Sequence, residues 1–136
     1  MACYLLDTNH LSPLVTSGHR LISKVKHEVE MGAEFAITVP ILAEFLFGIG
    51  MTPRFDENFK RWQAIRGGFI FYDIDAEIAE HAASLQIALR KRGWQLFMPD
   101  ALIAAVALRY DLILLTTDQD YRALPELVTE NWLSLP

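Results

Sequence analysis

Short apolar runs alternate with longer amphipathic runs along this sequence, and this alternation limits the fold more than any other feature. Strands that alternate with helices predict parallel βαβ units. The near-continuous apolar run Leu112–Leu115 predicts a sheet that is covered on both faces. We therefore expect a three-layer α/β domain with a parallel, doubly wound sheet of about four or five strands flanked by helices. The predicted strands are Cys3–Leu6, Phe35–Val39, Phe69–Tyr72, Leu112–Leu115 and, as the fifth, Leu127–Thr129.

Helical spacing of apolar residues and local capping signals predict the segments between these strands. Pro40 and Pro99 suit first helical turns, Asp75 is a candidate N-cap, and Gly93 is a helix stop. The predicted helices cover Thr8–Val15, His19–Met31, Pro40–Phe47, Arg54–Arg66, the segment from Asp75 to Gly93, and Asp100–Arg109.

The chain has 136 residues, of which 52% are hydrophobic and 21% are charged. This length predicts a single domain over residues 1–136, and the apolar content excludes a disordered chain. The lone cysteine, Cys3, excludes a disulfide framework and a cysteine-rich zinc site. The longest apolar run, Ala101–Leu108, is far shorter than the roughly 20 residues of a membrane span. Because Met1–Leu6 lacks the basic charge of a signal peptide, we expect a cytoplasmic protein without membrane association.

The formal net charge is −5 at pH 7, from 12 Lys and Arg residues against 17 Asp and Glu residues. This balance argues against a protein that holds nucleic acid by bulk positive charge. It leaves open a site that handles phosphate groups through metal ions.

Four acidic residues fall where the strands of such a sheet are expected to end. Asp7 directly follows the first strand, Glu44 lies in the first helical turns after the second, and Asp118 lies just beyond the fourth. Asp100 begins an otherwise apolar helix. Because ligands of open α/β sheets bind beyond the carboxyl ends of the strands, we expect these four side chains to share one crevice.

Each acid taken alone has an ordinary explanation. Asp7 and Asp100 suit helix N-termini, Glu44 suits a solvent-exposed helix face, and Asp118 suits a turn. Taken together they would repel one another, by roughly 4 kcal/mol for two charges about 4 Å apart at an effective dielectric constant near 20. A hard divalent cation with oxygen ligands, Mg²⁺ or its substitute Mn²⁺, is the simplest way to neutralise them.

The acids lie in four short motifs whose order and separation resemble those of the PIN-domain ribonucleases, and in particular the VapC-type toxins of toxin–antitoxin pairs. The resemblance covers nearly the whole chain. It implies a PIN-like fold and a Mg²⁺- or Mn²⁺-dependent ribonuclease that hydrolyses RNA phosphodiester bonds. It also implies a VapB-like antitoxin peptide as a partner and a homodimer. The motifs are Asp7-Thr8-Asn9, Ala43–Gly48, Pro99–Ala105 and Leu115–Tyr121.

The same resemblance implies roles for individual residues, with the choice between one and two bound ions left open. In the Leu115–Tyr121 motif the pattern favours Asp118 over Asp120 as the inward acid, and leaves Asp120 to cap or brace the turn. The implied core metal-binding acids are Asp7, Glu44 and Asp100, the fourth acid is Asp118, and the supporting residues are Asn9 and Thr116.

The third and fourth predicted helices carry more large apolar residues than one inward face can hide, which favours a partner-binding groove there. The resemblance places the antitoxin peptide at this surface. The residues concerned are Phe47, Ile49, Met51 and Trp62, whereas Phe45 is expected in the core.

Other functions fit the sequence less well. A catalytically inert PIN-like module that only binds RNA or a partner is the main alternative. A haloacid-dehalogenase-type phosphatase would need a second aspartate two residues after Asp7, where this chain has Asn9. A receiver-type signalling domain would need a pair of adjacent acids after the first strand. Neither a P-loop nor a dinucleotide-binding G-x-G-x-x-G motif occurs.

Overall fold

A computed structural model of the chain describes residues 2–134. It contains five strands in this range: β1 (Cys3–Leu6), β2 (Glu34–Thr38), β3 (Phe69–Tyr72), β4 (Ile113–Leu115) and β5 (Thr129–Glu130). The α-helices are α1 (Thr8–Leu11), α2 (Arg20–Glu30), α3 (Val39–Gly50), α4 (Phe55–Ile65), α5 (Ala76–Lys91) and α6 (Met98–Tyr110). Short 3₁₀ helices cover Ser12–Val15, Arg66–Gly68 and Gln119–Ala123.

The strands form one sheet in the order β3-β2-β1-β4-β5, and every neighbouring pair is parallel. From β1 the chain proceeds to β2 and β3 on one side, and then returns past β1 to β4 and β5 on the other. The direction of winding therefore reverses between β1 and β4. Connections leave the carboxyl ends of these two strands in opposite directions, which opens a crevice at that edge of the sheet.

Consecutive residues of the central strands are fully buried. Because neighbouring side chains of a strand point to opposite faces, this pattern requires a layer of structure on each face of the sheet. The predicted three-layer α/β architecture, with a parallel, doubly wound sheet, is thus confirmed. The strand residues without accessible surface are Leu5, Leu6, Ala36, Ile37, Thr38, Leu114 and Leu115.

Several predicted element boundaries were wrong by a few residues. Val39 begins α3 instead of ending β2, because the Thr38 hydroxyl accepts a hydrogen bond from the Ile41 N–H at 3.2 Å and caps the helix. The segment Thr8–Val15 divides into α1 and a 3₁₀ helix, since Pro13 has no N–H with which to continue an α-helical ladder. The last strand lies two residues later than predicted, at Thr129–Glu130.

No helix within residues 2–134 has the length and apolar character needed to cross a membrane.

The buried cap at Thr38 gives a test of this packing. We expect Thr38→Ala to lower the free energy of unfolding by about 1 to 2 kcal/mol, because the Ile41 N–H loses its partner in the interior. Urea denaturation followed by circular dichroism measures the change. Thr129→Ala, at an exposed position of β5, serves as the matched control and should leave stability nearly unchanged. Equal effects of the two substitutions would contradict the assignment of the cap.

Candidate metal centre

An open cavity of about 410 Å³ lies at the carboxyl edge of the sheet. It contains all four acids that the sequence predicts for the site, and no lysine or arginine lines it. The crevice expected from the strand order is therefore present and strongly acidic. Its lining residues are Asp7, Thr8, Asn9, Ser12, Glu44, Pro99, Asp100, Ile103 and Asp118.

Asp7 occupies the centre of a hydrogen-bond network that joins the ends of β1 and β4. Its backbone N–H donates to the Leu115 carbonyl at 3.0 Å, and its Oδ1 accepts from the Thr8 N–H at 2.8 Å. Its Oδ2 accepts from the Thr116 hydroxyl at 2.8 Å and from the Asn9 amide nitrogen at 3.3 Å. Asn9 and Thr116, the two predicted supporting residues, thus both contact the Asp7 carboxylate.

Thr116 also links Asp7 to the loop that carries Asp118. The Thr116 hydroxyl oxygen accepts a hydrogen bond from the Asp118 N–H at 3.0 Å while its proton is donated to Asp7. One side chain therefore positions the acid after β1 and the acid after β4. Thr116 is itself buried, which limits the directions in which its hydroxyl can point.

Asp100 lies in the first turn of α6 but does not cap it. The N-cap of α6 is Phe97, which makes no side-chain capping bond. Asp100 Oδ1 instead accepts a hydrogen bond from the Tyr121 hydroxyl at 3.3 Å. Burial, followed by the charges of Asp118 and Asp7, raises the pKa of Asp100 to about 6. An ordinary helix-capping role does not account for this carboxylate.

Asp118, not Asp120, caps the turn after β4. Asp118 Oδ1 accepts from the Asp120 N–H at 2.9 Å and thereby begins the 3₁₀ helix Gln119–Ala123. Asp120 was expected to cap or brace the turn, and the capping role belongs to Asp118 instead. Asp100, Asp118 and Asp120 each offer a carboxylate oxygen within 4.8 Å of the others. Asp118 lines the cavity, whereas Asp120 is exposed and is not part of the lining.

Glu44 reaches the cavity from α3, and it is exposed. It lies in the second turn of the helix that Thr38 caps, so the helix start that follows β2 decides its position. Glu44 and Asp7 line the same cavity as Asp100 and Asp118, but they do not belong to the group of three aspartates.

The donor set fits a hard divalent cation. The acidic ligand atoms are carboxylate oxygens, which Mg²⁺ and Mn²⁺ accept. The raised pKa of Asp100 reflects burial and repulsion that a cation would relieve. Thr8 Oγ1 is also buried at this cavity, without a hydrogen-bond partner among the residues described.

Two residues that sequence reasoning missed complete the surroundings of the acids. Tyr121 is buried and donates to Asp100, and burial followed by the charge of Asp7 raises the pKa of its hydroxyl, which stays protonated. His10 has no accessible surface, and its Nδ1 lies 2.7 Å from Asn9 Oδ1. Burial lowers the pKa of His10 to about 4, so its imidazole is neutral at pH 7. The aromatic residue at the end of the Leu115–Tyr121 motif was the available signal for Tyr121.

Two of the four residues predicted for the apolar surface, Ile49 and Trp62, are buried in the core. Trp62 is 2% exposed and packs on Phe45 at a ring-centroid distance of 5.1 Å and on Phe69 at 5.7 Å. Of the predicted surface residues, Phe47 and Met51 are exposed, at 71% and 73%. A partner groove that includes Trp62 is therefore wrong.

A different apolar groove, of about 290 Å³, lies between α2, the end of α4 and the β3 edge of the sheet. Its lining is almost entirely apolar, with Lys26 as the charged residue. We call this surface the α2–α4 groove; it is lined by Leu14, Ile22, Val25, Lys26, Val29, Phe35, Ala64, Ile65, Gly68 and Phe69.

The fold and the crevice together define an α/β protein with an acid-lined candidate metal centre at the switch point of a parallel sheet. A family model of the PIN domain matches residues 4–127, and the chain belongs to the PIN-domain family. The family resemblance read from the four motifs is confirmed.

Known proteins of this kind extend over nearly the same length. Ribonuclease VapC2 of Rickettsia felis is 24% identical over 133 residues, which covers 95% of this chain and 97% of the relative. The structure of VapBC2 from Rickettsia felis bound to a promoter DNA fragment superposes with a TM-score of 0.82 at 21% identity, covering 96% of this chain and 98% of that one. DNA-bound VapBC from Salmonella typhimurium has a TM-score of 0.81 at 20% identity, covering 97% and 99%.

The raised pKa of Asp100 predicts pH-dependent metal binding. A proton and a cation compete for this carboxylate, and the proton wins as the pH falls through about 6. We expect the apparent Mn²⁺ affinity to fall by about tenfold between pH 7 and pH 5, as for one proton released per ion bound. Isothermal titration calorimetry at the two pH values measures this change. Asp100→Asn should weaken Mn²⁺ binding and flatten its pH dependence, and an unchanged pH slope in that variant would contradict the prediction.

Proposed function

We propose that the chain is a metal-dependent ribonuclease that hydrolyses RNA phosphodiester bonds and acts as the toxin of a toxin–antitoxin pair. The observation that carries this proposal is the acidic crevice at the β1–β4 switch point of a PIN domain. The ribonuclease name of the VapC2 relative supports the same activity. We further propose that residues 1–136 form a single domain and that the protein acts in the cytoplasm.

Asp7, Glu44 and Asp100 are proposed to hold a principal Mg²⁺ or Mn²⁺ ion, with Asp118 as the fourth acid. A bound divalent ion lowers the pKa of its water and offsets charge that develops on the phosphate. The protein's contribution is to orient these carboxylates. Thr116 and Asn9 orient Asp7, and the Tyr121 hydroxyl donates to Asp100.

RNA as the substrate class is supported by a second cavity, of about 510 Å³, at the start of α6. Its lining combines Arg90 and Lys91 with the partly exposed rings of Trp94 and Phe97. Cationic groups attract the phosphates of a single strand, and aromatic rings stack on its bases. Phe97 is also the N-cap of α6, whose first turn carries Asp100, so this surface adjoins the acids.

Loss of the metal ligands tests the activity. We expect purified protein to cleave RNA in Mn²⁺ or Mg²⁺ and to lose cleavage in excess EDTA. Asp7→Asn combined with Asp100→Asn should reduce cleavage to background, because two of the carboxylates lose their charge. Gel analysis of a defined RNA measures both effects, with Glu126→Gln, an exposed acid outside the cavity lining, as the control. Cleavage that persists in EDTA or in the double variant would contradict the proposal, and the absence of Mn²⁺ binding would favour the inert module.

The α2–α4 groove is the proposed site of a VapB-like antitoxin peptide. Its apolar lining suits apolar side chains of a short segment laid into a groove. The VapBC complexes with which the fold superposes support an antitoxin as the partner class. A homodimer is also proposed, and the exposed side chains of Phe47 and Met51 at the end of α3 are candidates for covering by a second copy.

A matched pair of valines tests the groove. Val29 lines it and is 53% exposed, whereas Val128 is 55% exposed and precedes β5 at the opposite edge of the sheet. We expect Val29→Asp to weaken capture of the co-expressed antitoxin by about tenfold or more, roughly 1.4 kcal/mol, because it places a charge in an apolar contact. Val128→Asp should leave capture unchanged. Equal capture by the two variants, measured by biolayer interferometry, would refute this location.

A further inference from the structure

We infer that His10 is a positioning residue of the metal centre, which orients the Asp7 carboxylate by holding the Asn9 amide in one orientation. This inference rests on the proposed function, because it concerns the site that would bind the cation. Three hydrogen bonds form the connection: Trp132 N–H to His10, His10 to Asn9, and Asn9 to Asp7.

The direction of each hydrogen bond follows from the first one. The Trp132 backbone N–H lies 3.0 Å from His10 Nε2, and because an amide N–H can only donate, Nε2 must carry a lone pair. The proton of the neutral ring is therefore on Nδ1. Nδ1 lies 2.7 Å from Asn9 Oδ1 and donates to it. The Trp132 backbone thus selects the tautomer of a histidine at the other end of the chain.

The His10 proton in turn decides which way the Asn9 amide faces. Asn9 Oδ1 accepts from His10 Nδ1 and, at 3.3 Å, from the Thr117 N–H. The amide nitrogen then faces Asp7 Oδ2, to which it donates at 3.3 Å. A rotated amide would place its oxygen against the carboxylate and its N–H groups against two other donors. His10 therefore keeps a donor, and not an acceptor, in contact with Asp7.

The far end of this connection is firmly held. The Trp132 ring packs edge-on against Tyr4, with ring centroids 4.7 Å apart, and its Nε1 donates to Glu130 at 2.9 Å. The Arg20 guanidinium donates to the carbonyl oxygens of Trp132 and Leu133, at 3.4 and 2.6 Å. The segment around Trp132 is thereby fixed to β1 and α2. Its backbone N–H has a defined position from which to orient His10.

Direct participation of His10 in the reaction does not fit its surroundings. The imidazole has no accessible surface, so it cannot contact an RNA strand in the cavity. Both ring nitrogens already have partners inside the protein. Its effect on the site must pass through Asn9.

Two substitutions of His10 separate positioning from packing. An asparagine side chain can place its amide N–H near the former Nδ1, whereas a glutamine side chain can place its amide oxygen near the former Nε2. His10→Asn therefore keeps the donor to Asn9 and loses the acceptor for Trp132, and His10→Gln does the reverse. Each variant leaves one buried group unpaired, so both should lose a similar amount of stability.

Mn²⁺ affinity, measured by calorimetry on the full chain, distinguishes the two roles. We expect His10→Gln to weaken Mn²⁺ binding by about tenfold, and His10→Asn to stay within about threefold of the unsubstituted protein. In an Asn9→Ala background, His10→Gln should cause no further loss, because the intermediary is gone. Equal affinities for the two His10 variants, or the reverse order, would overturn the inference. If the unsubstituted protein itself bound no Mn²⁺, the proposed function would fail at the first step.

A measurement on the unsubstituted protein tests the same inference if one of the variants does not fold. Nitrogen-15 NMR of the histidine rings should show His10 as the Nδ1–H tautomer at pH 7. Addition of diamagnetic Mg²⁺ should shift the His10 Nδ1 proton resonance. The cation would withdraw electron density from the Asp7 carboxylate, and this change would pass through the Asn9 amide to the His10 hydrogen bond. An Nε2–H tautomer, or a resonance unmoved at saturating Mg²⁺, would overturn the inference.

Discussion

The hydrogen bond from the Asp7 N–H to the Leu115 carbonyl is the contact on which the candidate site depends. It extends the β1–β4 pairing by one residue beyond the strands, to the topological switch point where the segments that follow β1 and β4 diverge. Asp7 is therefore held by backbone geometry before its side chain makes any contact. The Thr116 hydroxyl then joins the Asp7 carboxylate to the Asp118 N–H, so the two strand ends are locked to each other in one register.

The acids are held by neutral donors. A hydroxyl, an amide and one backbone N–H donate to the Asp7 carboxylate, and a phenol donates to Asp100, while no lysine or arginine lines the cavity. A lysine or arginine in the same place would neutralise the carboxylates and compete with a cation for them. Neutral donors orient the carboxylates without neutralising their negative charge. The unneutralised negative charge disfavours ionisation of Asp100, whose pKa is raised to about 6 by burial and by its acidic neighbours.

The sequence was informative where the determining contacts are local or periodic. Strands Cys3–Leu6 and Phe69–Tyr72 were predicted to the residue. The four acids were placed in one crevice from the expected strand ends and from the start of the apolar helix at Asp100. Side-chain burial was not predictable in the same way. The helical pattern predicted that the Trp62 side chain would be exposed, but Phe69 of β3 packs against it and covers it. The contacts of His10 with Trp132 and of Tyr121 with Asp100 join segments distant in sequence, and no local pattern encodes them.

The acidic composition has a different meaning once the site is described. A formal charge of −5 argues against binding nucleic acid by a general positive field, and the cations near the start of α6 are few. The acids of the crevice change this balance, because a divalent ion held there would present positive charge to a phosphate at the one place where it is needed. Attraction for an RNA strand would then be local and conditional on the ion. The preorganised carboxylates, and the neutral residues that orient them without neutralising them, are therefore what allows an acidic protein to act on an acidic polymer.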